Sequence, residues 1–197
     1  MADKSPKLDR AEHDRIQKAV HDVVTNDTFL DALAETVENG TARDQFKADP
    51  KAHLKKKGCN VPDGVKVEPI DDPGSWGARV SMKGKNGITS RVEFRSGQKK
   101  GPETPKDRKR FHESMAEVQR SMNSDAALNA IEEASGDAAL RAQAKADAKG
   151  FLKSRGVNIP DEAELKVIES PNPGVCWYYC WWWWIFQICV SFCITVE

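Results

Sequence analysis

The chain contains itself twice. The segment FKADPKAHLKKKGCNVPDGVKV (46–67) returns at 144–167 as AKADAKGFLKSRGVNIPDEAELKV. Gly58 matches Gly156, Asn60 matches Asn158 and Pro62 matches Pro160, each 98 positions apart. The same offset pairs Asp9-Arg10 with Asp107-Arg108, Val20 with Val118, Asp27 with Asp125, Leu30 with Leu128 and Arg43 with Arg141. Two extra residues after the second Pro-Asp turn shift the offset to 100, which aligns Lys66-Val67 with Lys166-Val167 and Pro73-Gly74 with Pro173-Gly174. Duplication on this scale means that whatever one unit folds into, the other must also be able to adopt.

Each unit follows one plan. In the first, Ile16, Val20, Val23 and Val24 lie at helical spacing. Asn26 or Asp27 caps a second helix whose apolar face is Phe29, Leu30, Leu33 and Val37, and Asn39-Gly40 ends it. A third helix runs from Thr41 towards Lys57, with Asp49-Pro50 as a re-capping point and Gly58 as its stop. A strand follows in NVPDGVKVEPI, and ARVSMKGKNGITSRVEF (78–94) alternates about KNG as a hairpin does. Unit two repeats the helices at 107–122, 126–134 and 138–155; its third helix has Ala148 where unit one has Pro50. EAELKVIES is its first strand. The expected fold class is therefore α+β, as two tandem repeats, each a few helices followed by a strand and a β-hairpin. The expected boundaries are a flexible N-terminus (1–7), repeat 1 (8–100), a linker (101–106), repeat 2 (107–173) and a hydrophobic C-terminal segment (174–197).

That last segment breaks the pattern of composition. CWYYCWWWWIFQICVSFCITV (176–196) holds five of the six Trp, both Tyr and four of the five Cys of the chain, and no charged residue. The rest is highly charged, with thirty basic and thirty acidic residues over the whole chain, so net charge selects no partner and offers no basic stripe for nucleic acid. The start is polar and lacks the apolar stretch of a secretory signal.

The cysteine positions of the tail carry geometry. The sums 176 + 193 and 180 + 189 are equal. In an antiparallel hairpin turning at Trp184-Ile185, Cys176 would face Cys193 and Cys180 would face Cys189, all on one sheet face. Other readings of the tail stay open. Its uncharged run is long enough to span a bilayer as a helix, although four consecutive Trp would then sit mid-span. Four thiols are a metal set in number but not in CxxC spacing. The segment also fits as a buried hairpin of unit two's core. Lastly, it fits as a peptide product modified at its thiols and indoles.

Elsewhere, chemistry is sparse. His13, His21, His53 and His112 lack metal-ligand spacing and are expected on helix surfaces. There is no Gly-rich phosphate loop or nucleophile elbow. Cys59 aligns with Val157 of unit two, which favours packing over reactivity.

The sequence of helix, DP turn, helix-stop Gly and NVPDGVKV strand resembles the N-terminal region of nitrile hydratase alpha subunits. It resembles even more the nitrile-hydratase-like leaders, proteusins included, of ribosomally made and modified peptides. The resemblance covers Thr41 to Asp72 and again Ala138 to Ser170. It implies a folded leader that modifying enzymes bind, followed by a short core peptide that is modified, cleaved and exported. The hydratase Cys-x-x-Cys-Ser-Cys metal site is missing; the corresponding place reads CWYYC. No catalytic residue, metal or cofactor is therefore expected.

On this reading the chain is a cytoplasmic precursor. Its modification or crosslink sites are Cys176, Cys180, Cys189, Cys193, Trp177, Trp181, Trp182, Trp183 and Trp184. Leader recognition falls on Gly156, Ile159, Pro160, Leu165 and Val167, and cleavage on Pro173-Gly174. The implied partners are peptide-modifying enzymes, a leader protease, an exporter and a membrane target of the released core, without nucleic acid. The alternative is a non-catalytic binding or structural protein attached to membranes by its apolar C-terminal segment.

Overall fold

The computed structural model describes residues 7–85, 87–97, 101–161, 163–169 and 174–195. Of the expected flexible N-terminus only Lys7 is among them, and Pro173 of the expected cleavage site lies outside them.

Unit one runs α1 (Arg10–Val24), α2 (Asp27–Glu38), α3 (Gly40–Ala48), α4 (Pro50–Lys56), β1 (Lys66–Asp72), β2 (Ser75–Lys83) and β3 (Ile88–Ser96). Unit two runs α5 (Pro105–Met122), α6 (Asp125–Gly136), α7 (Ala138–Ala146), α8 (Ala148–Lys153), β4 (Glu164–Glu169), β5 (Gly174–Trp183) and β6 (Phe186–Thr195). The fold is α+β, and among the described residues each unit is four helices, a strand and a hairpin.

Local chemistry explains the helix boundaries. The expected third helix of each unit is in fact two. In unit one Asp49 accepts a hydrogen bond from the Ala52 N–H, and Pro50 opens α4. In unit two Asp147 caps the Gly150 N–H in the same way without any proline. The aspartate side chain that satisfies the free N–H groups thus accompanies the break in both units, with or without Pro50. Gly40 does not end α2 but begins α3, because Asn39 is at once the C-cap of one helix and the N-cap of the next. The matched arginines also have a common task. Arg43 donates to the carbonyls of Thr36 and Val37, and Arg141 to those of Ala134 and Ser135, filling the free carbonyls at the ends of α2 and α6.

The two units do not form separate cores. Their strands join in one antiparallel sheet ordered β1-β2-β3-β6-β5-β4. The third strand of each unit pairs with that of the other, Val92 facing Val190 and Ile88 facing Ile194. The helices cover one face, where Phe29, Phe94, Phe111, Trp177, Phe186 and Phe192 are fully buried. Reciprocal contacts tie the halves. Arg10 reaches Asn129 of unit two at 2.7 Å, and its counterpart Arg108 reaches Asp31 of unit one at 2.8 Å. Asp31 and Asn129 are themselves 98 residues apart, so the duplication has become an approximate two-fold axis through the sheet.

Candidate functional site: the disulfide-laddered hairpin

Residues 174–195 form the β5–β6 hairpin, the counterpart of β2–β3. Its register places Cys176 opposite Cys193 and Cys180 opposite Cys189, with Trp184-Ile185 as the turn. Both pairs are disulfides, with Cα separations of 4.0 and 4.2 Å. All four thiols are consumed, so none remains as a thiolate ligand or nucleophile. Both bridges stand on the sheet face away from the helices, in the same side-chain set as Tyr178, Trp182, Gln187 and Ser191.

The opposite side-chain set, Val175, Trp177, Tyr179, Trp181 and Trp183 with Phe186, Ile188 and Phe192, points into the helix layer. Trp177 packs on Phe151 of α8 at 6.0 Å between ring centroids, and Trp183 on Phe111 of α5 at 4.7 Å. Burying each such side chain contributes about 1.5–3 kcal/mol. The indole N–H groups fare worse. Nε1 of Trp177, Trp181 and Trp183 is buried without a hydrogen-bond partner among the described residues. The Trp of unit one behaves otherwise, since Trp76 Nε1 donates to the buried Thr36 hydroxyl at 2.7 Å.

The turn is unusual chemistry for its job. Trp184 adopts φ 49°, a left-handed conformation that glycine or asparagine normally supplies. It is held there from outside: its Nε1 donates to the Gly101 carbonyl at 3.0 Å, and its ring meets those of Trp183 and Phe186. The Gly97 N–H donates to the Ile185 carbonyl at 2.7 Å. A Cβ at Gly97 would come within 2.8 Å of the Trp182 ring, so only glycine allows that indole to lie where it does. The segment joining the repeats therefore grips the tip of the hairpin. Sequence reasoning missed this role of Gly97 and Gly101, along with Arg108, which lies over the Trp183 ring at 5.9 Å while it binds Glu103, Asp27 and Asp31. The Asp9-Arg10/Asp107-Arg108 match was the only signal available for the arginine.

Access divides the tail. Trp182 is 59% exposed, Trp181, Trp184, Cys180 and Cys189 are half-buried, and Trp177, Trp183, Cys176 and Cys193 are buried. A cleft of about 290 Å³ reaches Cys180, Trp181 and Trp182 between Arg110 and Glu117 of α5 and Glu164.

The expected recognition residues are also divided. Ile159 and Val167 are buried in the core, because Val167 sits on the helix-facing side of β4 and Ile159 packs into the same cluster. Substitutions there would probe folding rather than docking. Pro160 and Leu165 are partly exposed, and Gly156 takes φ 83° after α8. Gly174 opens β5 opposite Thr195. Cys59 and its counterpart Val157 are both buried, and burial pushes the Cys59 thiol up. Two histidines depart from their expected surface positions. His13 packs edge-on against Phe192 at 4.8 Å, and His53 is buried beside Phe46. Desolvation lowers the pKa of both.

No helix among the described residues is long and apolar enough to cross a membrane. Among the described residues no three His, Cys, Asp or Glu side chains gather as a metal site. Comparison with known proteins finds no matching family model, no similar curated protein and no similar solved structure.

Proposed function

We propose that the chain is a non-catalytic precursor whose charged, duplicated body carries residues 174–197 as a core peptide for modification and release. The observation that carries this reading is the contrast between the tryptophans. Leaving a buried donor unpaired costs about 1–3 kcal/mol. The body's Trp76 avoids that cost, whereas three tail tryptophans find no partner for the indole N–H among the described residues. Side chains chosen only to fill unit two's core would be phenylalanine or leucine. Indoles retained at a cost to the host fold point to a task outside it, such as residence at a membrane interface, where indoles are favoured.

The disulfides support the same reading. Both close within the hairpin and neither ties it to the body, so a cut near Gly174 would free a covalently closed hairpin. Modifying enzymes would dock on the helix-to-strand region of unit two, through Pro160, Leu165 and their exposed neighbours, beside the accessible Cys180, Trp181 and Trp182.

A second reading has its own support. β5 and β6 are inner strands of the sheet, and Trp177, Phe186 and Phe192 are fully buried in the shared core. A binding or structural protein that keeps its tail for life would be built this way.

Intact mass spectrometry of the chain from the cells that make it separates the two. The precursor reading expects release near residue 174 and a mass change beyond two disulfides. A tail still attached and carrying only disulfides would overturn it.

A further inference from the structure

The two disulfides of the hairpin stand on one sheet face but in different surroundings. Cys176 and Cys193 are 8% and 9% exposed and have a strand on either side, with Ile168 of β4 facing Cys176 and Thr89 of β3 facing Cys193. Cys180 and Cys189 are half-buried. Glu93 of β3 faces Cys189, but on the other side β4 begins only at Glu164, which faces Cys180. Among the described residues no residue of β4 stands beside Trp181, Trp182 or Trp183. The outer strand therefore starts level with Cys180, whereas it continues past Cys176.

The cleft of about 290 Å³ lies at this step. Cys180 lines it, together with Glu164 of β4 and Arg110 and Glu117 of α5, and Cys176, Cys189 and Cys193 do not. Glu164 lies on the β4 side of Cys180, across β5 from Cys189. A thiolate displaces one sulfur from another along the line that joins them, and access decides which sulfur it reaches. A thiol that enters from the β4 side therefore meets Cys180 with Cys189 placed as the leaving group.

We infer that Cys180–Cys189 is the exchange-labile bridge of the tail, opened by a small thiol that enters this cleft while Cys176–Cys193 stays closed. The thiolate attacks Cys180 Sγ, forms a mixed disulfide there and expels Cys189 as a thiolate, which takes a proton from water. A second thiol molecule attacks the mixed disulfide, leaves joined to the first, and frees the Cys180 thiol. Two small thiols are thus oxidised to one disulfide as one bridge is reduced to two thiols. The register survives, because β6 stays paired to β3 through Gln187 with Arg95 and Phe186 with Ser96. Cys180 and Cys189 then stand as free thiols near the exposed Trp182, in a hairpin still closed at its base. The inference rests on the precursor reading only for the use of those thiols, the first offered to a modifying enzyme.

The test uses the purified, oxidised full chain and 2-mercaptoethanol, a neutral monothiol. Timed samples are capped with N-ethylmaleimide, digested and read by mass spectrometry. The mercaptoethanol adduct should appear on Cys180 and the cap on Cys189, about tenfold faster than either label reaches Cys176 or Cys193. In urea that unfolds the chain the two bridges should open at similar rates, because the fold sets the order. Glu117→Trp changes an exposed residue of the cleft wall and should slow the opening of Cys180–Cys189 about threefold, leaving Cys176–Cys193 as before. If that variant fails to fold, Arg110→Trp, also exposed in the wall, serves instead. Equal rates in the folded chain, earlier opening of Cys176–Cys193, or an adduct chiefly on Cys189 overturns the inference. So does an order that persists in urea, or opening of Cys180–Cys189 that a narrowed cleft leaves unchanged. Mass spectrometry of the chain from its cells keeps the two proposals apart. A tail released and modified there, with equal rates in the purified chain, sinks the labile bridge and leaves the precursor reading standing. A tail never released or modified, with Cys180–Cys189 opening first, does the reverse.

Discussion

The hairpins β2–β3 and β5–β6 occupy equivalent places in one sheet and solve the same problem with different chemistry. On its open face β2–β3 carries an ionic ladder. Arg79 and Arg95 converge on Glu93 at 2.7 and 3.2 Å. Burial would raise the Glu93 carboxyl, but the two guanidinium groups hold it below the usual carboxylate range. The equivalent face of β5–β6 carries two disulfides. The turn of the first contains Gly87 at φ 69°, whereas the second forces Trp184 into that region and needs Gly101 to hold it. The first hairpin satisfies its indole, and the second leaves three without a partner among the described residues. A duplicated fold thus tolerates a partner hairpin that obeys fewer local rules, provided that shared packing compensates. The helix layer supplies that packing in both.

The comparison breaks most readily at the disulfides. Replacing Cys176 and Cys193 by Ser should cost about 3 kcal/mol, and replacing Cys180 and Cys189 somewhat less, since the closed loop is shorter. The sequence separations are 17 and 9. Urea unfolding of the oxidised chain and both double variants measures this. Equal midpoints for all three would mean that the hairpin is held without help from its crosslinks, as the disulfide-free β2–β3 is.

The indoles give a finer test. Trp76→Phe and Trp177→Phe remove the same atoms from two buried sites, so their packing losses are comparable. Trp76→Phe also removes a hydrogen bond to Thr36, whereas Trp177→Phe relieves an unpaired donor. The first should therefore cost about 1 kcal/mol or more beyond the second in thermal or urea melts. The reverse order would remove the main support for assigning the tail indoles a task outside the fold.

The smallest effect is that of pH. Desolvation depresses the pKa of His13, which packs against the tail's Phe192, and of His21 and His53. Below the ordinary value of 6.5 the unfolded chain binds protons that the folded chain resists. Stability should thus be level above that pH and fall as pH drops through and below it. His13→Gln should flatten part of this slope in melts between pH 7 and pH 5. An unchanged slope would place the dependence on the other two.

Much of the site is legible in the sequence alone. Equal position sums paired the cysteines correctly because antiparallel register is arithmetic: one turn position fixes every facing pair. The same arithmetic located the turn at Trp184-Ile185 despite the poor turn chemistry of those residues. The break at Asp147 is not legible from proline, which marks only the first unit's break, whereas the aspartate cap marks it in both units. His13 and His53 were misplaced because helical periodicity tells which residues share a face, not which faces are covered by strands distant in sequence.

By itself, then, the sequence determined the duplication, the α+β plan of each unit, and the pairing within the hairpin, all of which follow from local periodicity and register. Only the tertiary structure decided that β3 joins β6 and that the tail becomes two inner strands. Those outcomes depend on backbone hydrogen bonds and buried surface between residues distant in the chain, which no local pattern specifies.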